Sequence, residues 1–133
     1  MNAHAALHEA RAAEKAQALF YRTLAAQAEA RGMDEVSERL NGLHADEQHH
    51  LSRLTARLVE LGEPVADLSS AQSPDVALDG WEDVARAREE EEIARYERLL
   101  EQTLDPHTRA MIEEFIESER LHADQLGGKW MDA

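Results

Sequence analysis

Residues 40–54 read LNGLHADEQHHLSRL. Leu40, Leu43, Leu51 and Leu54 recur at the three- and four-residue steps of a helix, yet Glu47 and His50 occupy positions where the same apolar seam should continue. Following that seam through the segment gives Val36, Leu40, Leu43, Glu47, His50, Leu54, Leu58 and Leu61. A carboxylate and an imidazole therefore sit in the stripe that should face the core.

The same interruption recurs in three other helical segments. One seam runs Leu7, Ala10, Glu14, Ala18, Tyr21, Ala25 and Ala28. Another runs Ala85, Glu89, Glu92, Tyr96, Leu99 and Thr103, and the last runs Ile112, Phe115, Glu119, His122 and Leu126. Segment ends are marked by turn chemistry. Gly32 stops the first helix; Asp34 is a candidate N-cap for the second; Gly62 and Pro64 close it. Asp79 with Glu82 reads as a capping box for the third, and Asp105-Pro106 as an N-cap followed by proline at the first helical position of the fourth. The expected helices are about 4–31, 34–61, 80–104 and 106–126, within a single domain covering residues 1–133.

Connection lengths set the expected topology. The short links within the first and second pairs predict two antiparallel helical hairpins. Residues 62–79 form a Pro-, Ser- and Asp-containing link, and a chain of that length reaches roughly 55 Å when extended. Helices of this size are about 40 Å long, so a crossover running their full height is within reach. The fold class expected is all-α: a four-helix bundle of two antiparallel hairpins joined by a long crossover loop.

Composition narrows the chemistry. With 28 acidic against 14 basic residues the net charge is −14, which argues against a nucleic-acid partner, whose phosphates require a basic surface. There is no cysteine, so disulfides, thiolate zinc sites and cysteine nucleophiles are excluded. No apolar run approaches membrane-spanning length and the first residues lack a signal-peptide pattern, so a cytoplasmic protein with no membrane partner is expected.

The polar layer itself points to metal. Counted from the turns, Glu14 lies level with Glu47, and Glu89 level with Glu119. A buried carboxylate without compensation costs several kcal/mol, and divalent cations provide that compensation. Residues three apart share a helix face, so each Glu-x-x-His, Glu47–His50 and Glu119–His122, can direct both side chains at one centre. Four glutamates balance two M²⁺ ions, and two histidines complete an oxygen–nitrogen donor set suited to iron or manganese. Glu14 precedes Tyr21 by seven residues, as Glu89 precedes Tyr96, so the two halves read as copies of one helical hairpin.

On these residues, over about 4–126, the chain resembles the rubrerythrin branch of the ferritin-like dimetal-carboxylate superfamily. The resemblance implies a ferritin-like bundle with Glu14, Glu47, His50, Glu89, Glu119 and His122 as ligands of two iron ions. It assigns Glu92 to an additional ligand that exchanges with His50 as the site changes redox state, and Tyr21 and Tyr96 to hydrogen bonds with ligand carboxylates. It implies a non-haem di-iron oxidoreductase that reduces hydrogen peroxide, or dioxygen, as the ferrous pair is oxidised. A ferroxidase or iron-handling protein, a dimanganese catalase-like protein and, last, a metal-free helical interaction module are the alternatives. Typical rubrerythrins carry a rubredoxin domain; this chain has no cysteine for one, so a separate electron donor is expected, and a homodimer by analogy. The remaining histidines, His4, His8, His44, His49 and His107, are expected at the surface. Trp81 and Trp130 are expected as hydrophobic anchors at helix ends.

Overall fold

The computed structural model describes residues 2–127, and within them every regular element is helical: α1 (Ala3–Ala30), α2 (Asp34–Glu60), α3 (Trp81–Leu100) and α4 (Pro106–Gln125). Trp130 lies outside the described residues. No helix among them is long and apolar enough to cross a membrane. The chain divides into two compact units, one comprising Arg11–Trp81 and the other joining the segment up to Ala10 with that from Glu82 onward.

In the first unit α1 and α2 form an antiparallel hairpin. Arg11 Nε donates to Thr55 Oγ1 at 2.8 Å near one end, while Ser37 Oγ reaches the Ala25 carbonyl at 3.4 Å near the other. The turn depends on Gly32, whose φ of 69° is a left-handed conformation that costs a side-chain-bearing residue about 1 kcal/mol or more. It lets Met33 N–H return to the Ala28 carbonyl and close the helix end. Gly62 ends α2 in the same way, with Glu63 N–H bonded to Leu58 O.

The link after α2 runs back along α1. Arg11 Nη1 donates to Ala66 O at 2.8 Å, Gln27 Nε2 to Val76 O at 3.0 Å, and Arg31 lies 3.7 Å from Asp79. Later points of the link thus meet later points along α1 and just past its end, about 30 Å apart from Arg11 to Arg31. The link ends with Leu78 and Trp81 buried, and the Arg39 guanidinium stacks 5.2 Å from the Trp81 ring centre. The chain enters α3 at the Gly32 end of the hairpin, having crossed its full height. Trp81 is the anchor expected.

In the second unit α3 and α4 are antiparallel. Arg120 pairs with Glu97 at 3.2 Å, and Tyr96 packs on Phe115 with ring centres 5.7 Å apart. Asp105 caps α4 as expected, its carboxylate accepting from Thr108 N–H at 2.9 Å and Thr108 Oγ1 at 2.6 Å.

Three boundaries differ from expectation. The third helix ends at Leu100 rather than near 104, because Arg109 Nη2 captures the Leu100 and Gln102 carbonyls and the chain must turn to place the Asp105 cap. Thr103, assigned to the seam, is consequently exposed. Asp34 is the first residue of α2 and not its cap; Met33 precedes it and offers no capping side chain. Asp34 and Glu35 still place negative charge on the positive end of the helix dipole. Asp79 stands two residues before α3, with Gly80 between them.

Candidate metal centre

The polar residues of each seam are among the most buried in the molecule. Glu14, Glu47, Glu89 and Glu119 are all 0 % exposed; His50 and His122 are 4 % and 3 %. The leucines, phenylalanines and small residues of the same stripes are buried with them, which fixes the helix rotation and turns these polar groups inward.

In the α1–α2 hairpin, Nδ1 of His50 lies 3.7 Å from a Glu14 oxygen and 3.8 Å from a Glu47 oxygen. In the α3–α4 hairpin, Nδ1 of His122 lies 3.6 Å from Glu89 and 3.5 Å from Glu119. Each hairpin therefore builds the same cluster: a glutamate from its first helix facing a Glu-x-x-His on its second. Within each cluster one ligand atom from each residue lies within 4.8 Å of the others, a spacing that could hold a metal ion.

The spacing can be tested against the ion's requirements. At 3.5–3.8 Å the nitrogen–oxygen separations exceed a good hydrogen bond. Two donors that each stand about 2.0–2.2 Å from a shared cation are separated by up to about 4.2 Å, so these distances suit an ion between them. Carboxylate oxygens and imidazole nitrogens are the donors that iron, manganese and zinc accept. The residues fit a bound divalent metal.

The electrostatics agree. Burial, with the neighbouring Glu119 carboxylate, pushes the Glu89 pKa up to about 7, although His122 pulls the other way. Burial alone would lower the His122 pKa, but the adjacent Glu119 and Glu89 carboxylates outweigh it and raise it to about 11. The cluster is rich in negative charge and uses the imidazole as its cation when no metal is bound.

Glu92 is placed differently. It is buried at 4 % exposure, but its Oε1 accepts from Arg95 Nη1 at 2.6 Å, and it belongs to neither cation-sized cluster. Tyr21 and Tyr96 are fully buried, Tyr21 in edge contact with Phe20 at 5.2 Å. His4, His49 and His107 are exposed, whereas His8 and His44 are half-buried. Burial and then the charges of Arg22 and Lys15 lower the His44 pKa.

Two residues escaped the sequence reading: Gln17, 1 % exposed one turn after Glu14, and Arg95, one turn after Glu92. The internal repeat held the signal. Superposing Glu14 on Glu89 and Tyr21 on Tyr96 places Gln17 on Glu92 and Phe20 on Arg95.

Neither the curated proteins nor the solved structures give a significant match to the chain. A family model described as a ferritin-like domain matches residues 4–129.

Proposed function

Since the chain belongs to the ferritin-like domain family, we propose that its two Glu/Glu-x-x-His clusters are the halves of one dimetal centre, occupied by iron, and that the protein is a peroxide-reducing oxidoreductase of the rubrerythrin type. The observation that carries the reading is the duplication: each hairpin independently buries two glutamates and a histidine at metal-ligand spacing. Di-iron members of the ferritin-like class take one Glu from each of two helices and Glu-x-x-His from each of the others. Glu14, Glu47 with His50, Glu89, and Glu119 with His122 match that set residue by residue.

When bound, two ferrous ions supply the two electrons that, with two protons, reduce one hydrogen peroxide to two waters. The protein's part is to hold and to exclude. His50 and His122 each present Nδ1 to two carboxylates at separations suited to a shared cation. Burial of all six groups keeps bulk water from competing for the site. The buried Tyr21 and Tyr96 hydroxyls orient ligand carboxylates. Electrons return from a separate donor.

The test is anaerobic ferrous loading followed by rapid mixing with peroxide and, separately, with dioxygen. About two irons per chain, oxidised much faster by peroxide, is the result expected. Failure to bind iron would sink the dimetal reading. Equal, slow reaction with both oxidants ends the peroxidase assignment and leaves the metal site. Family membership favours one second reading, a ferroxidase, which predicts turnover with dioxygen and accumulation of ferric mineral.

A further inference from the structure

The two hairpins match at every metal-cluster position but differ one turn along their first helices. Where α1 buries the neutral Gln17 and the apolar Phe20, α3 carries Glu92 and Arg95. The extra negative charge of the second hairpin arrives together with an extra positive one, and the two are joined by a 2.6 Å charge-assisted hydrogen bond across one turn of helix. The Glu92 side chain is only 6 % exposed, whereas that of Arg95 is 26 % exposed. The guanidinium thus approaches from the solvent side and reaches inward to the carboxylate, its aliphatic stem lying along the helix.

We propose that Arg95 is a positioning residue that holds the Glu92 carboxylate away from the Glu89, Glu119 and His122 cluster, so that Glu92 is not a ligand of a divalent metal bound there. The role rests on the metal-centre reading above and refines it. Glu89, Glu119 and His122 converge within cation reach, while Glu92 does not join them and is engaged by the guanidinium. Arginine suits this task because it stays charged at every working pH and offers several directed N–H groups. Removing it would release a buried carboxylate one turn from the Glu89 ligand position, where a metal is the nearest compensating charge.

The experiment uses the full chain loaded with Co²⁺, whose visible absorption weakens as its coordination number rises and which involves no turnover. Glu92→Gln is expected to leave the cobalt spectrum and affinity unchanged. Arg95→Gln is expected to lower the absorption of one cobalt as Glu92 joins it, and to tighten binding about tenfold. Arg95→Lys should behave like wild type, and Glu92→Gln in the Arg95→Gln background should restore the wild-type spectrum. A spectrum altered by Glu92→Gln alone, or unaltered by Arg95→Gln in a chain that binds two cobalts, overturns this role and leaves the metal centre standing. A wild-type chain that takes up no Co²⁺ removes both. If Arg95→Gln does not fold, as judged by circular dichroism, the Glu92→Gln spectrum decides alone, because a metal-bound carboxylate cannot be neutralised without a spectral change.

Discussion

Nδ1 of His50 lies 3.7 Å from a carboxylate oxygen of Glu14, on the opposite arm of the first hairpin, and both groups are buried. The separation is too long for a good hydrogen bond and suited to two ligands of one cation. A layer built for a metal should be poorly optimised without one. The behaviour of the metal-free protein is therefore as informative as that of the loaded one.

Glu47→Leu replaces a fully buried carboxylate with an apolar group of similar volume. Replacing buried ionic groups in this way is often neutral or stabilising by about 1–4 kcal/mol. In chelator-treated protein the variant should melt at or above the wild-type temperature. In the presence of Fe²⁺ or Co²⁺ at about a hundred times the dissociation constant, wild type should gain about 2.7 kcal/mol that the variant does not. A metal-free hydrogen-bonded network predicts the opposite, a loss in chelated protein; calorimetry in the two buffers separates them.

Stability of the chelated protein should depend on Glu89 with a definite sign. Its folded pKa is raised to about 7 from an ordinary 4.5, so between these values the native state binds the extra proton. Stability then falls as pH rises through that window. Relative to Glu89→Gln, wild type should lose thermal stability from pH 5 to pH 8. His122, raised to about 11 from 6.5, acts in the same direction above neutrality. Metal binding must displace these protons, so metal affinity should strengthen over the same range. Parallel melting curves for wild type and Glu89→Gln across the range would contradict the assignment.

Gln17→Glu gives α1 the carboxylate that α3 has, without an arginine beside it, since Phe20 stands at that place. Gln17 is 1 % exposed. The added group must be desolvated without a matched cation, and the chelated protein should lose about 1–3 kcal/mol at neutral pH. Denaturant titration of the variant against wild type checks it.

Asp105→Ala tests the fold separately from the site. It removes the acceptor of Thr108 N–H and Thr108 Oγ1 at the start of α4. A lost N-cap costs about 1 kcal/mol. Metal stoichiometry should be unchanged, because Glu119 and His122 lie about four to five turns beyond it, on a helix whose buried face is intact.

Much of this is legible in the sequence. The seams of α1, α2 and α4 are buried essentially as their periodicity demands, since burial of a helical stripe is a local, repeating property. Glu14, Glu47, Glu89, Glu119 and both histidines were picked out because they interrupt that repeat. Leu78, Gln17 and Arg95 were not. A residue just outside a helix, a neutral amide in an alanine-rich stretch and an arginine in a run of charges carry no periodic signature of their own. The end of α3 was misplaced for a related reason: Arg109, on the next helix, captures its terminal carbonyls, and no local preference reports that.

The sequence by itself determined four helices, their pairing into hairpins and the identity of the six inward-facing polar groups, because spacing along a helix dictates which side chains share a face. Only the tertiary structure decided that residues 62–79 run along α1 from Arg11 to Arg31, and that the Glu92 carboxylate is engaged by Arg95 while Glu89 stands with His122. Periodicity assigns a residue to a face. Which partner its charge meets there depends on distances between atoms that lie on different turns, and folding alone sets those.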